Sequence, residues 1–219
     1  SDGTNASSPS SVEVLASANT VLSAGSAVTI TAYVKNKSNV GMSGQTVTFS
    51  ATSGTIQNAS AVTDKSGSAT ASLIAGVDKS NRDITVTVSS GNVSGRIVLP
   101  VTGSVISLSG DGTLRAAGTA TYTIRALDSS GNAVSGIQPT VVSALDNSVG
   151  QSIPKTDATG SAKFIYTANN SGTDTLTISG LGSTISYTVL VNAVDLSVLS
   201  PSANTTIPVG TSQNITVRY

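Results

Sequence analysis

Apolar and polar residues alternate along this chain in short runs, and nowhere does an apolar spacing of three and four persist beyond two turns. Val28, Ile30, Ala32 and Val34 fall on one side of one such run, with Thr29, Thr31, Tyr33 and Lys35 on the other. A period of two is that of a strand with one buried face. Clusters of Gly, Asn, Asp and Ser break the runs at short intervals, as turns between strands require. The pattern predicts strands near 12–17, 27–35, 45–51, 60–63, 68–75, 83–90 and 93–102. A second set follows near 104–109, 119–127, 139–145, 153–156, 161–167, 173–179 and 184–191.

The two sets are copies of one plan. Gly25, Gly118 and Gly210 each precede an alternating run and stand 93 and 92 residues apart. Asn36 to Gly44 matches Asp128 to Gly136, and Thr63-Asp64-Lys-Ser-Gly67-Ser-Ala69 matches Thr156-Asp157-Ala-Thr-Gly160-Ser-Ala162. A fixed period of this size marks tandem structural repeats. About seven strands in ~90–100 residues suit a two-sheet sandwich of immunoglobulin type. The fold expected is therefore all-β: 1–11 a polar tether, 12–103 and 104–191 two sandwiches, and 192–219 the first strands of a third, cut short. Joins of about two residues, at Gly103 and at Asn192-Ala193, leave little room for independent tumbling. Stacked end to end, each unit should add roughly 35–45 Å to a stiff rod.

Composition narrows what such a rod could do. Charged residues make up 10% of the chain, the 11 basic and 11 acidic groups cancel, and the basic ones are scattered. A nucleic-acid partner needs a clustered positive field, and none is present. Hydrophobic residues reach 38% and recur along nearly the whole length, which argues against disorder. With aromatics at 3%, the core must be built from β-branched aliphatics, which favour strands. No apolar run approaches the ~18 residues of a membrane-spanning helix. No charged leader precedes an apolar stretch, so an export signal would lie outside these residues or have been removed. The Asn-x-Ser/Thr triplets at Asn58 and Asn214 are what chance gives in so Ser-, Thr- and Asn-rich a chain.

A Gly before an alternating strand, then Asp/Asn-x-x-Gly/Asn-x-x-x-x-Gly, an apolar strand, Thr-Asp-x-x-Gly-x-Ala and a final hairpin resemble the bacterial Ig-like domains of the intimin and invasin type. The Thr-Asp-x-x-Gly-x-Ala element at 63–69 and 156–162 is the most specific piece. The first copy departs from the pattern with Asn36 for the usual Asp, and with Asn39-Val40 for Gly-Asn. The resemblance implies an exported surface protein whose repeats form a non-catalytic stalk holding a binding tip away from the outer membrane. It also leaves open a module that itself recognises a host receptor or a glycan, and an ancillary domain of a secreted enzyme. The family's tip domain and membrane barrel have no counterpart in these residues, and their binding does not carry over.

The candidate chemistry is sparse. With neither His nor Cys, a Ser-His or Cys-His nucleophile is impossible. Glu13 is the single Glu and the ten Asp are scattered, which ill suits a calcium ion wanting six to eight oxygens, so no cofactor is expected. Asp64 and Asp157 read instead as turn residues whose carboxylates accept backbone N–H bonds, with Gly67 and Gly160 supplying positive φ. Asp78 and Asp83 read as a solvated turn beside Lys79 and Arg82. Lys35 and Lys163 lie on strands, but alternation turns Lys163 away from the Ala162, Phe164, Tyr166 face and so from any internal isopeptide bond. Phe49 and Phe164 read as core. Tyr33, Tyr122, Tyr166, Tyr187 and Tyr219 read as rim residues with wet hydroxyls, or as a glycan platform. The unpaired strand edges of 192–219 also leave a tail-mediated homodimer open.

Overall fold

A computed structural model of the chain describes residues 8–194 and 197–218. It is all-β, with no helix among the described residues. Eight strands build a first sandwich: β1 (Ser11–Ala16), β2 (Val21–Leu22), β3 (Val28–Lys35), β4 (Thr48–Ala51), β5 (Thr55–Gln57), β6 (Ser68–Ile74), β7 (Arg82–Ser90) and β8 (Val93–Thr102). One sheet runs β1-β3-β6-β5 and the other β2-β8-β7-β4. Seven more form a second: β9 (Val105–Ser109), β10 (Thr113–Arg115), β11 (Thr119–Leu127), β12 (Thr140–Ser143), β13 (Ser161–Thr167), β14 (Gly172–Gly180) and β15 (Ser183–Asn192). Their sheets run β13-β11-β9 and β10-β15-β14-β12. A short antiparallel pair, β16 (Ser197–Ser200) and β17 (Thr216–Arg218), follows.

Each sandwich has its own core, aliphatic in the first and joined by Tyr122, Phe164 and Tyr166 in the second. In β3 the alternating set Val28, Ile30, Ala32 and Val34 is buried, and Ile84, Val86 and Val88 of β7 close on it from the facing sheet. The second core holds Tyr122, Ile124 and Ala126 of β11 against Leu176 and Ile178 of β14. Burial of this kind, at about 25 cal/mol per Å² of apolar area, is the main source of stability in a chain without disulfides. Two residues separate the strands that join the sandwiches, since β8 ends at Thr102 and β9 begins at Val105.

Register aligns paired strands of the first sandwich with paired strands of the second, β5 alone having no counterpart. Ile84 pairs with Leu99 as Asp174 pairs with Val189, and Ala32 with Ala69 as Ile124 pairs with Ala162. Three expectations need correction. Near 60–63 there is a single bridge, Thr46 to Val62, and the strand lies earlier, at β5. Near 153–156 there is no strand, and the neighbouring segment contributes one bridge, Ser148 to Thr167. The parallel strands β2 and β10, two and three residues long, were not expected at all. Two or three residues cannot display a period, and their ladder with β8 and β15 is formed only once the sandwich closes.

Candidate functional site

Asp64 Oδ1 accepts hydrogen bonds from the Ser66 and Ser68 N–H groups at 2.8 and 2.9 Å, and from the Ser66 hydroxyl at 2.7 Å. Asp157 Oδ1 receives the same three from Thr159 and Ser161. Gly67 and Gly160 have φ of 82° and 75°. The Ser66 hydroxyl first, then the backbone donors, hold the Asp64 carboxyl below the ordinary 3.8, and Thr159 leads the same effect at Asp157. Each turn packs on the other repeated motif: the Thr63 hydroxyl donates to the Met42 carbonyl and that of Thr156 to the Val134 carbonyl. Where the first motif departs from the family pattern, chemistry is kept. Asn36 Oδ1 accepts from Ser38 and Val40 as Asp128 Oδ1 does from Ser130 and Asn132. Asn39 takes φ 62° where the second copy has Gly131 at 79°, a position Asn tolerates because its short side chain bonds locally.

Two of the tyrosines overturn the rim expectation. Tyr122 and Tyr166 are fully buried, and Tyr122 stacks on Phe164 with ring centres 5.6 Å apart. By register they occupy the places of Ile30 and Leu73, while Phe164 replaces Ala71. The 92–93-residue period, applied position by position, carries this signal. Phe164 is core as expected, and Phe49 is half-buried against the first core. The buried hydroxyls find partners: Tyr122 donates to the Asp111 carbonyl and Tyr166 to Asp174 Oδ2 at 2.7 Å. Burial, assisted by the nearby Tyr187 and Asp111, pushes the Tyr122 phenol up to about 12. Tyr187 is half-buried and donates to the Gly110 carbonyl; Tyr33 is half-buried, and Tyr219 lies outside the described residues.

A buried carboxylate is the feature that sequence reasoning missed. Asp174 is fully enclosed, and it accepts from the Ser143 hydroxyl at 2.6 Å, Tyr166, the Asn147 carboxamide at 3.0 Å and the Leu145 N–H at 3.1 Å. Burial alone would raise its pKa, but these four donors outweigh it and hold the group below the usual carboxylate value. The first sandwich has Ile84, Ala51 and Leu73 at the places of Asp174, Ser143 and Tyr166. The two Asp174 oxygens are engaged by Ser143, Leu145, Asn147 and Tyr166.

Arg82 and Lys35 are also held in the scaffold. Arg82 donates to the Ala75, Asp78 and Ser80 carbonyls and to Ser53 Oγ, and lies 3.6 Å from Asp78 Oδ2. Lys35 pairs with Glu13 at 2.6 Å, and Lys163 is exposed on the outer face of β13 as alternation requires. Among the described residues no group of His, Cys, Asp and Glu could hold a metal ion. No helix among them is long and apolar enough to cross a membrane. An open cleft of about 350 Å³ lies beside the end of the first sandwich, lined by Leu22, Gln57, Ile74 and Lys79, with the fully exposed Val77 on its wall.

These features define an all-β immunoglobulin-like protein whose polar groups serve turns and packing. By sequence the chain matches no family model and no curated relative. By structure it is similar to the adhesin InvE of Yersinia pseudotuberculosis, with 20% identity and a TM-score of 0.55 over 83% of this chain and 58% of that one. InvD of the same organism aligns at 22% identity and TM-score 0.39, over 90% of this chain and 60% of that one. Invasin, a bacterial integrin-binding protein, aligns at 18% and 0.43 over 87% and 42%. The chain thus spans about half the length of these structures, and its fold is that of the Ig-like domains of a bacterial adhesin.

Proposed function

We propose that this chain is a non-catalytic spacer of a bacterial surface protein, in which Ig-like units project a binding element outward. The observation that carries the reading is the connection between the two cores. Two residues, Gly103 and Ser104, separate β8 from β9, too few for a flexible tether. On this reading 12–103 and 104–191 are successive units, 1–11 leads into them and 192–219 opens a third. Asp64, Gly67, Asp157 and Gly160 are structural turn positions, and no cofactor takes part. The likeness in fold to InvE supports an adhesin-type setting, exported and exposed at the cell surface.

A second reading has one observation in its favour. The cleft at Leu22 and Ile74 with Val77 exposed beside it is the kind of apolar feature a receptor or glycan could engage. The experiment is binding of the purified chain to host cells, matrix proteins and a glycan array, together with small-angle scattering. An elongated profile without saturable binding is expected. Saturable binding lost on Val77→Ser would make the chain a binding module; a compact profile would remove the spacer. Light scattering at high concentration tests the tail-mediated homodimer, which a strict monomer excludes.

A further inference from the structure

The joint between the two sandwiches is more than a short connection. Asn81, in the loop before β7, reaches across it four ways. Its carboxamide donates to the Ser104 carbonyl at 2.8 Å and to Ser183 Oγ at 3.0 Å, and its Oδ1 accepts the Ser104 N–H at 3.1 Å. Its own N–H donates to the Leu181 carbonyl at 3.0 Å. Leu181 and Gly182 form the tip of the β14–β15 hairpin, both with positive φ, 55° and 69°. A left-handed backbone is uncommon for a bulky residue and persists only where its surroundings enforce it. The approach is close enough that a Cβ on Gly182 would lie 2.0 Å from the Asn81 carbonyl oxygen.

Two further sets of bonds flank this contact. Ser104, buried, donates from its hydroxyl to the Lys79 carbonyl and lies 2.8 Å from the buried Ser23 hydroxyl. The Ser23 hydroxyl in turn accepts the Ser129 N–H at 2.9 Å, while the Ser129 and Ser130 hydroxyls donate to the Ala24 carbonyl. Arg82 fixes the loop that presents Lys79 and Asn81 by donating to three of its carbonyls. Every partner is a neutral hydroxyl, amide or carboxamide, so salt leaves the contact unscreened.

We propose that Asn81 is the positioning residue of a polar clasp that locks the second sandwich at one orientation to the first. The proposal rests on the spacer reading, and it says more than that reading does, since a short connection alone permits bending. The clasp is also particular to this joint. By register the opposite pole of the second sandwich carries Ala116, Ser171 and Val194 where the clasp has Ser23, Asn81 and Ser104. Ser171 has no carboxamide to match that of Asn81, so the clasp belongs to these residues and not to the sandwich plan as such.

The chain has no cysteine, so paired spin labels can be placed cleanly at exposed Arg96→Cys and Thr188→Cys, one on each sandwich. Double electron–electron resonance on the full chain should give one narrow distance distribution. Asn81→Ala should broaden it at least twofold with the far-ultraviolet circular dichroism unchanged. Asn81→Asp, which keeps the acceptor for Ser104 and loses both carboxamide donors, should fall between. A broad distribution before any change at Asn81 would overturn the clasp, and so would a width that Asn81→Ala leaves untouched. Cell binding reads the spacer role and label width reads the joint, so the two can fail separately.

Discussion

At Gly67 and Gly160 a single hydrogen in place of a side chain is what the fold demands. A Cβ on Gly67 would lie 2.5 Å from the Met42 nitrogen, and one on Gly160 would lie 2.5 Å from the Ala126 carbonyl. Both sites also need positive φ. Gly67→Ala should therefore destabilise the first sandwich by about 1–3 kcal/mol, read as a lower urea midpoint. The neighbouring Asp64 and Asp157 set a pH dependence. Their folded pKa values lie below the ordinary 3.8, so their contribution is complete above that value and is lost as pH falls through the folded value. Asp64→Ala should cost stability at pH 7 and much less at pH 2; an equal cost at both would deny the carboxylate its role. The Asp-x-x-Gly turn was legible because a short acceptor three residues before Gly has few other uses. The burial of Tyr122 and Tyr166 was less so, since a tyrosine on an alternating strand suits a rim or a core equally until the facing sheet is known.

Strands with one apolar face were the most legible elements. The ranges 93–102, 119–127 and 161–167 match β8, β11 and β13 to the residue. What the pattern could not carry was the content of each facing position. In the second sandwich β12, β13 and β14 bring Ser143, Tyr166 and Asp174 together, where the first has Ala51, Leu73 and Ile84. An unpaired buried donor costs about 1–3 kcal/mol. Asp174→Ala, which strips the Ser143, Tyr166 and Asn147 groups of their shared acceptor, should lower the unfolding free energy by at least that much. Replacing the set together, Asp174→Ile with Tyr166→Leu and Ser143→Ala, should recover most of the loss, because a packed apolar cluster often equals a buried polar one. Urea denaturation of the two variants makes the comparison, and a triple variant no better than Asp174→Ala would refute it. The network includes Asn147, 27 residues from Asp174, and Asn170 just before β14, both in loops with no periodicity to announce them.

Two separate apolar cores, no cysteine and no cluster of metal-binding side chains among the described residues make the whole chain's stability a matter of packing. Its melting temperature should be unchanged by EDTA and by reductant; a fall of several degrees with EDTA would place a metal in it. The last pair, β16 and β17, stands apart energetically. Val198, Ile215 and Val217 are exposed by 58, 66 and 42%, whereas Leu108, Tyr122 and Ile124 on the matching strands are half-buried or buried. Two strands cannot cover an apolar face by themselves. In hydrogen exchange the amides of 197–218 should therefore exchange well before those of β7 and β14; equal protection would mean that something covers them.

The alternation of apolar and polar residues determined most strands, and the 92–93-residue period determined that they come in matching sets. Both follow from geometry local to the chain: a pleat turns every second side chain the same way, and a turn needs its Asp or Gly wherever the chain reverses. Tertiary structure decided the rest. The parallel strands β2 and β10, the four donors around Asp174 and the bridge from Asn81 to Ser104, Leu181 and Ser183 depend on groups up to about a hundred residues apart. Their partners are chosen by which surfaces meet once two sandwiches have closed, and no short-range pattern encodes that.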